Sequence, residues 1–323
     1  MEFFSSINKP APEKPDFTRR RLMGGALALP VLSSLAACTG SPAVVSGAAK
    51  VADQRFVTRG PRMESRLFSY DDPAEHLRQS YRILRNSQDN ADVLFWYHFT
   101  MFTVVDGLAP KPVVRWEGIE LSHHKRLAKD TYRIHGHNLS FPRDLQTGRW
   151  TNSAVNPVTG AKVNVPPITL TEDPGYLYTP QGAIPLDNPE APPRIRIEQF
   201  LIEDDLVKIE QVRLPPASWP ATFVETSTNW CNRDLFEKTD IPSLPTGTSG
   251  GYVFPFPAWL DMGEQPGHMF ATWSGRKLGS VAELPEEFIR RAEPEHASLL
   301  AVDMSAFDRP LPAALQKYLI RSN

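Results

Sequence analysis

The run from Val93 to Val105 constrains the fold most, because both sides of its alternation are apolar or aromatic. Side chains of a β-strand point alternately to its two faces. One set is Phe95, Tyr97, Phe99 and Met101, and the other is Trp96, His98, Thr100 and Phe102. An open sheet with one wet face needs only one apolar set. We therefore expect a cavity on one face of this strand and helices or loops against the other.

Strand patterns recur along the chain, separated by turn sequences. They cover Val113–Leu121, Thr131–Phe141, Arg149–Ser153, Lys162–Leu170, Arg194–Ile202, Leu206–Arg213, Thr222–Trp230 and Met269–Ser274. Helices are predicted only over 73–87 and 312–321. The Pro/Gly-rich segments 172–193 and 232–258 are expected to be long loops, the second a lid over the cavity. The pattern predicts a β-rich α+β fold, an antiparallel barrel or strongly curved sheet with a few flanking helices.

The N-terminus carries an export signal. Arg19 and Arg20 precede the weakly apolar run Leu22–Ala37, which is typical of twin-arginine (Tat) signal peptides. At ~1.5 Å per residue this run extends about 24 Å, which is short of the ~30 Å hydrocarbon core. Leu35-Ala36-Ala37-Cys38 fits the lipobox of bacterial lipoproteins, so Cys38 is either lipidated or simply the first residue after cleavage.

These features predict three segments and a location. Residues 1–37 form the Tat signal peptide, 38–60 the lipidated cysteine with a flexible tether, and 61–323 a single β-rich domain. The expected partners are the Tat translocase during export and a membrane through the lipid at Cys38. Thr39 rather than Asp follows the cysteine, so we expect a periplasmic protein anchored to the outer membrane.

The charge and the cysteine content of the chain exclude some classes of protein. The chain has 35 basic and 37 acidic residues, and the leader holds five and three of these, so the mature chain has a net charge of −4. No basic stripe appears, so we expect no nucleic-acid partner. Cys231 is the only cysteine besides Cys38, which leaves no intramolecular disulfide and favours a buried thiol.

Candidate catalytic residues are few. Glu117 and Asp261 lie among aromatic residues, where burial can raise the pKa of a carboxyl group and suit it to acid–base chemistry, and His135 is a third candidate. An alternative is that these carboxylates are bonded to arginine or backbone. Nucleotide loops, nucleophile elbows and zinc-protease helices have no counterpart in the sequence, so no cofactor is predicted.

Four histidines at 123, 124, 135 and 137 are the candidate metal ligands. His135 and His137 share one face of a strand, which resembles metal-ligating geometry. No carboxylate follows at the short spacing of a cupin-type site. We therefore predict exposed or stacked histidines and no stoichiometric transition metal.

Seven tryptophans exceed the usual number for this length. They are core residues or, alternatively, they line a cavity for an apolar or aromatic ligand. The candidate ligand-binding residues are Trp96, Tyr97, Trp116 and Trp259.

Several short motifs resemble one bacterial family. They are Trp116-Glu117-Gly118, the Asp144–Gly148 turn, Asn156-Pro157-Val158-Thr159-Gly160, Trp259-Leu260-Asp261-Met262-Gly263 and the Leu284-Pro285 step. The chain is similar over about 65–310 to the family catalogued as domain of unknown function 1838, whose members often carry Tat leaders. The resemblance implies no activity and no catalytic residues.

Three functions stay open. The first is a lipid-anchored periplasmic protein that binds a small apolar or aromatic molecule in a β-barrel cavity. The second is a cofactor-independent lyase, hydratase or isomerase on the same scaffold. The third is an envelope structural or interaction protein without a small-molecule site.

Overall fold

The computed structural model describes residues 64–190, 196–213 and 223–320. Nearly half of these residues belong to strands. In chain order the strands are β1 (Ser65–Phe68), β2 (Ala91–Val105), β3 (Lys111–Ala128), β4 (Thr131–Arg143), β5 (Ser153–Val155), β6 (Lys162–Asn164), β7 (Ile168–Thr179), β8 (Gly182–Pro185), β9 (Arg196–Glu203), β10 (Leu206–Arg213), β11 (Val224–Asn232), β12 (Gly247–Phe254) and β13 (Gly267–Leu278). The predicted export signal, Cys38 and the tether lie outside the described residues.

Eleven of the described strands form one antiparallel sheet, while β5 and β6 pair separately. The order is β1-β9-β10-β11-β12-β13-β2-β3-β4-β7-β8. The β-rich class with a large antiparallel sheet and few helices is confirmed. The closed barrel is wrong: within the described ranges β1 pairs with β9 and β8 with β7, and no ladder joins these two edges.

Four short α-helices flank the sheet within the described ranges. They are α1 (Pro73–Leu84), α2 (Arg233–Phe236), α3 (Glu286–His296) and α4 (Gln316–Ile320). The Asp72 side chain accepts a hydrogen bond from the backbone of Ala74, which begins α1 as the sequence predicts. The sequence analysis missed α3, which contains Pro294. None of the helices in the described part of the chain is long and apolar enough to cross a membrane.

The predicted lid over 232–258 is wrong, because β12 is a central strand between β11 and β13. Its glycines make it look like a loop in the sequence, but they have a packing role. A Cβ at Gly247 would lie 2.4 Å from the Trp230 ring, and one at Gly250 would lie 2.7 Å from the Trp273 ring. The indoles therefore occupy the space that side chains would need.

Two other segment predictions also need correction. The predicted loop 172–193 contains the end of β7 and all of β8, so it is largely part of the sheet. The predicted strand Arg149–Ser153 reduces to one isolated bridge at Trp150, and β5 begins only at Ser153. Both errors fall in turn-rich sequence, where Pro and Gly hide the end of β7 and where β5 and β8 are only three and four residues long.

Strand β2 is covered on both faces, in keeping with its two apolar sets. On one face, Trp96 packs edge-on against Phe288 of α3, with ring centroids 5.0 Å apart. On the other, Phe99 and Met101 belong to a core cluster with Trp116. We call the first the Trp96 face and the second the Tyr97 face.

Candidate functional site

An aromatic wall follows the Tyr97 face across four neighbouring strands. Phe99 stacks on Trp116 with centroids 5.9 Å apart, and Tyr252 lies 6.2 Å from Phe99. Trp273 is directly opposite Phe99 in the ladder between β13 and β2. The wall consists of Tyr97, Phe99, Trp116, Tyr252 and Trp273. Phe99 and Trp116 are buried, whereas Tyr97, Tyr252 and Trp273 are partly exposed. These three rings offer an edge of aromatic surface that suits a planar apolar ring.

The side chain of Tyr97 extends across β3 and reaches β4. It lies directly opposite Gly118, and its hydroxyl bonds Ser140 Oγ at 2.9 Å and donates to Asn138 Oδ1 at 3.2 Å. Because Gly118 has no side chain, the tyrosine can pass over the strand at this point. Burial raises the pKa of Tyr97, so the hydroxyl stays protonated. The Trp116-Glu117-Gly118 motif thus supplies both an aromatic ring and the gap beside it.

Two arginine–glutamate pairs lie on the same face. Arg213 Nη1 donates to Glu225 Oε2 at 3.2 Å, and these residues are directly opposite in the β10–β11 ladder. Arg85, just after α1, donates to Glu120 Oε1 of β3 at 2.5 Å. Burial alone would lower the pKa of Arg85, but Glu120, Tyr178 and Glu172 together outweigh it and raise the pKa. Glu225 raises the pKa of Arg213. Both guanidinium groups therefore stay charged.

The Arg85–Glu120 pair affects the pKa of Arg213, although four strands lie between β10 and β3 in the sheet. After Glu225 and burial, the pKa of Arg213 responds to Tyr178, Arg85 and Glu120. Coulombic interactions of this kind weaken with distance. The side chains of Arg213 and Glu225 are 38% and 19% exposed. They are flanked by protein and yet reach solvent.

A buried hydrogen-bond chain fastens α1 to the same face. Tyr81 bonds His124 Nδ1 at 2.6 Å, and His124 Nε2 bonds Ser122 Oγ at 2.8 Å. His124 is fully buried, and burial holds its pKa well below the usual value, so the imidazole is neutral. Both ring nitrogens are occupied, which indicates a structural role.

Lys277 and Cys231 are also buried here. Lys277 donates to the carbonyl oxygen of Arg85 at 2.7 Å and to that of Arg82 at 3.3 Å, where α1 ends. Burial, with Arg85, lowers the pKa of Lys277 to about 7. Burial raises the pKa of Cys231 to about 11, so its thiol is neutral. Lysine near the carbonyls of a helix end stabilises the helix.

The three predicted catalytic residues are not brought together. Glu117 lies on the Trp96 face with Arg143 Nε at 2.8 Å, which matches the arginine-bonded alternative. His135 is on that face too, but Glu117 is opposite Phe141, six residues and roughly 20 Å from His135 along β4. Asp261 is exposed, at the left-handed end of a 3-10 turn.

The four histidines lie on both faces of the sheet. His124 belongs to the Tyr97 face, whereas His123, His135 and His137 lie on the Trp96 face beneath the C-terminal segment. His123 Nδ1 bonds Asp92 at 2.7 Å, and His137 Nε2 donates to the Leu299 carbonyl at 2.5 Å. In the described ranges no three or more His, Cys, Asp or Glu side chains are grouped to hold a metal ion.

The predicted ligand-binding residues are likewise divided between the two faces of the sheet. Tyr97 and Trp116 belong to the aromatic wall, and Trp259 packs against the same core cluster. Trp96 faces α3 instead, because it is the immediate neighbour of Tyr97 in a strand. The sequence analysis missed Arg85, Glu120, Arg213, Glu225 and Tyr252. For Arg213 and Glu225 a signal existed, since Arg213 ends one predicted strand and Glu225 lies near the start of the next.

Comparisons with known proteins identify a family. The family described as "Protein of unknown function (DUF1838)" matches residues 90–299, which is more than half of the chain. No curated protein matches. Among solved structures, the chain is similar to DynF from the dynemicin biosynthesis pathway of Micromonospora chersina. The identity is 8% and the TM-score 0.21, over 59% of this chain and 82% of that one. The chain therefore belongs to the DUF1838 family.

Proposed function

We propose that the protein binds a small aromatic molecule in a hollow bounded by the Tyr97 face of a strongly curved sheet. The aromatic wall on this face carries the proposal, and the effect of Arg85 and Glu120 on the pKa of Arg213 supports it. Strands that are five places apart in a flat sheet, as β10 and β3 are, would lie roughly 24 Å apart. Curvature around the Tyr97 face brings them together and leaves a concave surface between them.

The composition of this surface supports a ligand that has both an aromatic ring and a polar group. Aromatic side chains offer stacking area, while Tyr97, Arg213 and Glu225 supply polar groups. Small-molecule sites are commonly apolar with a few placed polar groups. This lining is more polar than the purely apolar cavity expected from the sequence.

Binding is favoured over catalysis by the arrangement of the candidate residues. Glu117, His135 and Asp261 are far apart or exposed. Lys277, whose pKa is lowered to about 7, is hydrogen-bonded to the end of α1. A catalytic acid–base pair needs groups that converge on one reacting atom.

Saturable binding of 1-aminoanthracene tests the proposal. We expect its fluorescence to rise to a plateau that corresponds to one site, and Trp116→Ala to weaken binding. Because Trp116 is fully buried, Tyr252→Leu is a second variant at a partly exposed position of the wall. Trp96→Phe, on the other face, is the matched control and should bind like the unaltered protein. Equal weakening by Trp96→Phe and Tyr252→Leu would contradict an interior site.

We also propose export through the Tat route and a lipid anchor at Cys38 in the periplasm. Replacing Arg19 and Arg20 together by lysine should leave precursor in the cytoplasm, because the receptor reads the paired arginines. Separately, Cys38→Ala should abolish acylation and release the domain into the soluble periplasmic fraction. Fractionation and immunoblotting measure both. Normal processing of the double lysine variant would argue against the Tat route.

A further inference from the structure

Each of the two arginines beside the proposed hollow makes one hydrogen bond to a glutamate in the described part of the chain. Arg213 is held to Glu225 by a single hydrogen bond through Nη1. Its Nε is buried, and among the described residues it has no acceptor. Arg85 is similar, with Nη1 on Glu120 and a buried Nε that lacks a protein acceptor in the described ranges. Each of these two guanidinium groups therefore has a buried Nε–H donor that a ligand oxygen could engage.

The charges, in contrast, are already balanced. Each arginine is paired with one glutamate, so the two pairs together have no formal net charge. An anionic ligand would gain from the guanidinium groups but would also meet Glu120 and Glu225. A neutral oxygen acceptor gains the hydrogen bonds without that repulsion.

Tyr252 adds a neutral donor beside this pair. It lies directly opposite Glu225 in the β11–β12 ladder, one strand from Arg213. Burial raises its pKa, so the phenol keeps its proton. The same ring belongs to the aromatic wall, 6.2 Å from Phe99. Donors and stacking surface are therefore adjacent.

We infer that the ligand of this site is a neutral aromatic carbonyl compound whose oxygen accepts hydrogen bonds from Arg213 and Tyr252. The inference rests on the proposed function and deepens it. The ring lies against the partly exposed side chains of Tyr97 and Trp273, and the carbonyl group points toward the β10–β11 pair. Recognition by hydrogen-bond donors with balanced charge selects ketones over both carboxylates and hydrocarbons.

Three naphthalene probes of matched size test the inference by isothermal titration calorimetry on the mature protein. We expect 2-acetylnaphthalene to bind about tenfold or more tightly than 2-ethylnaphthalene, which lacks the acceptor, and than 2-naphthoate, which is anionic. Arg213→Gln should remove most of the preference for the ketone over the hydrocarbon. Arg276→Gln is the control, because Arg276 is exposed and lies opposite Trp96 on the other face.

The outcomes separate the two proposals. Equal affinities for the ketone and the hydrocarbon, or tightest binding of the naphthoate, would overturn the carbonyl inference and leave the binding site standing. Loss of the preference in Arg276→Gln as well would also overturn it. Absence of binding by all three probes and by 1-aminoanthracene would remove the proposed function itself.

Discussion

Gly118→Ala should lower the free energy of unfolding by about 3 kcal/mol or more. A Cβ at this position would lie 2.2 Å from the Leu139 carbonyl oxygen, 2.2 Å from Ser140 Oγ and 2.6 Å from Ser140 Cα. Two of these are backbone atoms of β4, so relief requires the central strands to separate. The methyl group would also obstruct the path of Tyr97 across β3. Urea unfolding followed by circular dichroism measures the effect.

Gly279→Ala is the matched control for this substitution. A Cβ there would meet Glu283 Oε1 at 2.7 Å, which is the end of a flexible side chain that can move aside. We expect a change within about 0.5 kcal/mol, as for most surface substitutions. Similar unfolding midpoints for the two alanine variants would show that the close approach of β3 and β4 at Gly118 is not a real constraint.

Acidification should remove stability through His124. Burial holds its folded pKa well below the ordinary value of 6.5, so the unfolded chain binds the proton more readily. The contribution of His124 to the free energy of unfolding is therefore fully present above pH ~6.5 and is lost as the pH falls toward the folded pKa. The slope of this loss is at most about 1.4 kcal/mol per pH unit. Unfolding curves across this range measure it.

His124→Gln isolates the contribution of this one histidine. Glutamine keeps a donor and an acceptor for Tyr81 and Ser122 but does not titrate. We expect the slope of unfolding free energy against pH below 6.5 to be shallower in the variant by about 1.4 kcal/mol per unit. Identical slopes in both proteins would mean that His124 is not the group that responds.

Local alternation was enough to predict the central strands. The two apolar sets of β2 identified its burial on both faces, and β3 and β4 follow the predicted ranges with added residues at their ends. Helix α1 was predicted from its cap, since Asp72 and Pro73 are local signals. These features depend on neighbouring residues in the chain, which is why the sequence alone reveals them.

The features that the sequence did not predict depend mostly on pairing between segments that are far apart in the chain. Strand β12 was missed because Gly247 and Gly250 suggest a loop, and only the rings of Trp230 and Trp273 explain them. The Arg85–Glu120 pair joins the end of α1 to the middle of β3, which no local pattern indicates. Trp96 was misplaced for a simpler reason: it cannot share a face with Tyr97.

A crystal structure of the mature protein grown with 2-acetylnaphthalene tests the central claim most directly. The account predicts the naphthalene ring on the Tyr97 face, in contact with Tyr97 and Trp273, inside the curved sheet. A ring bound on the Trp96 face or the outer surface, with the Tyr97 face filled by the protein's own side chains, would contradict it.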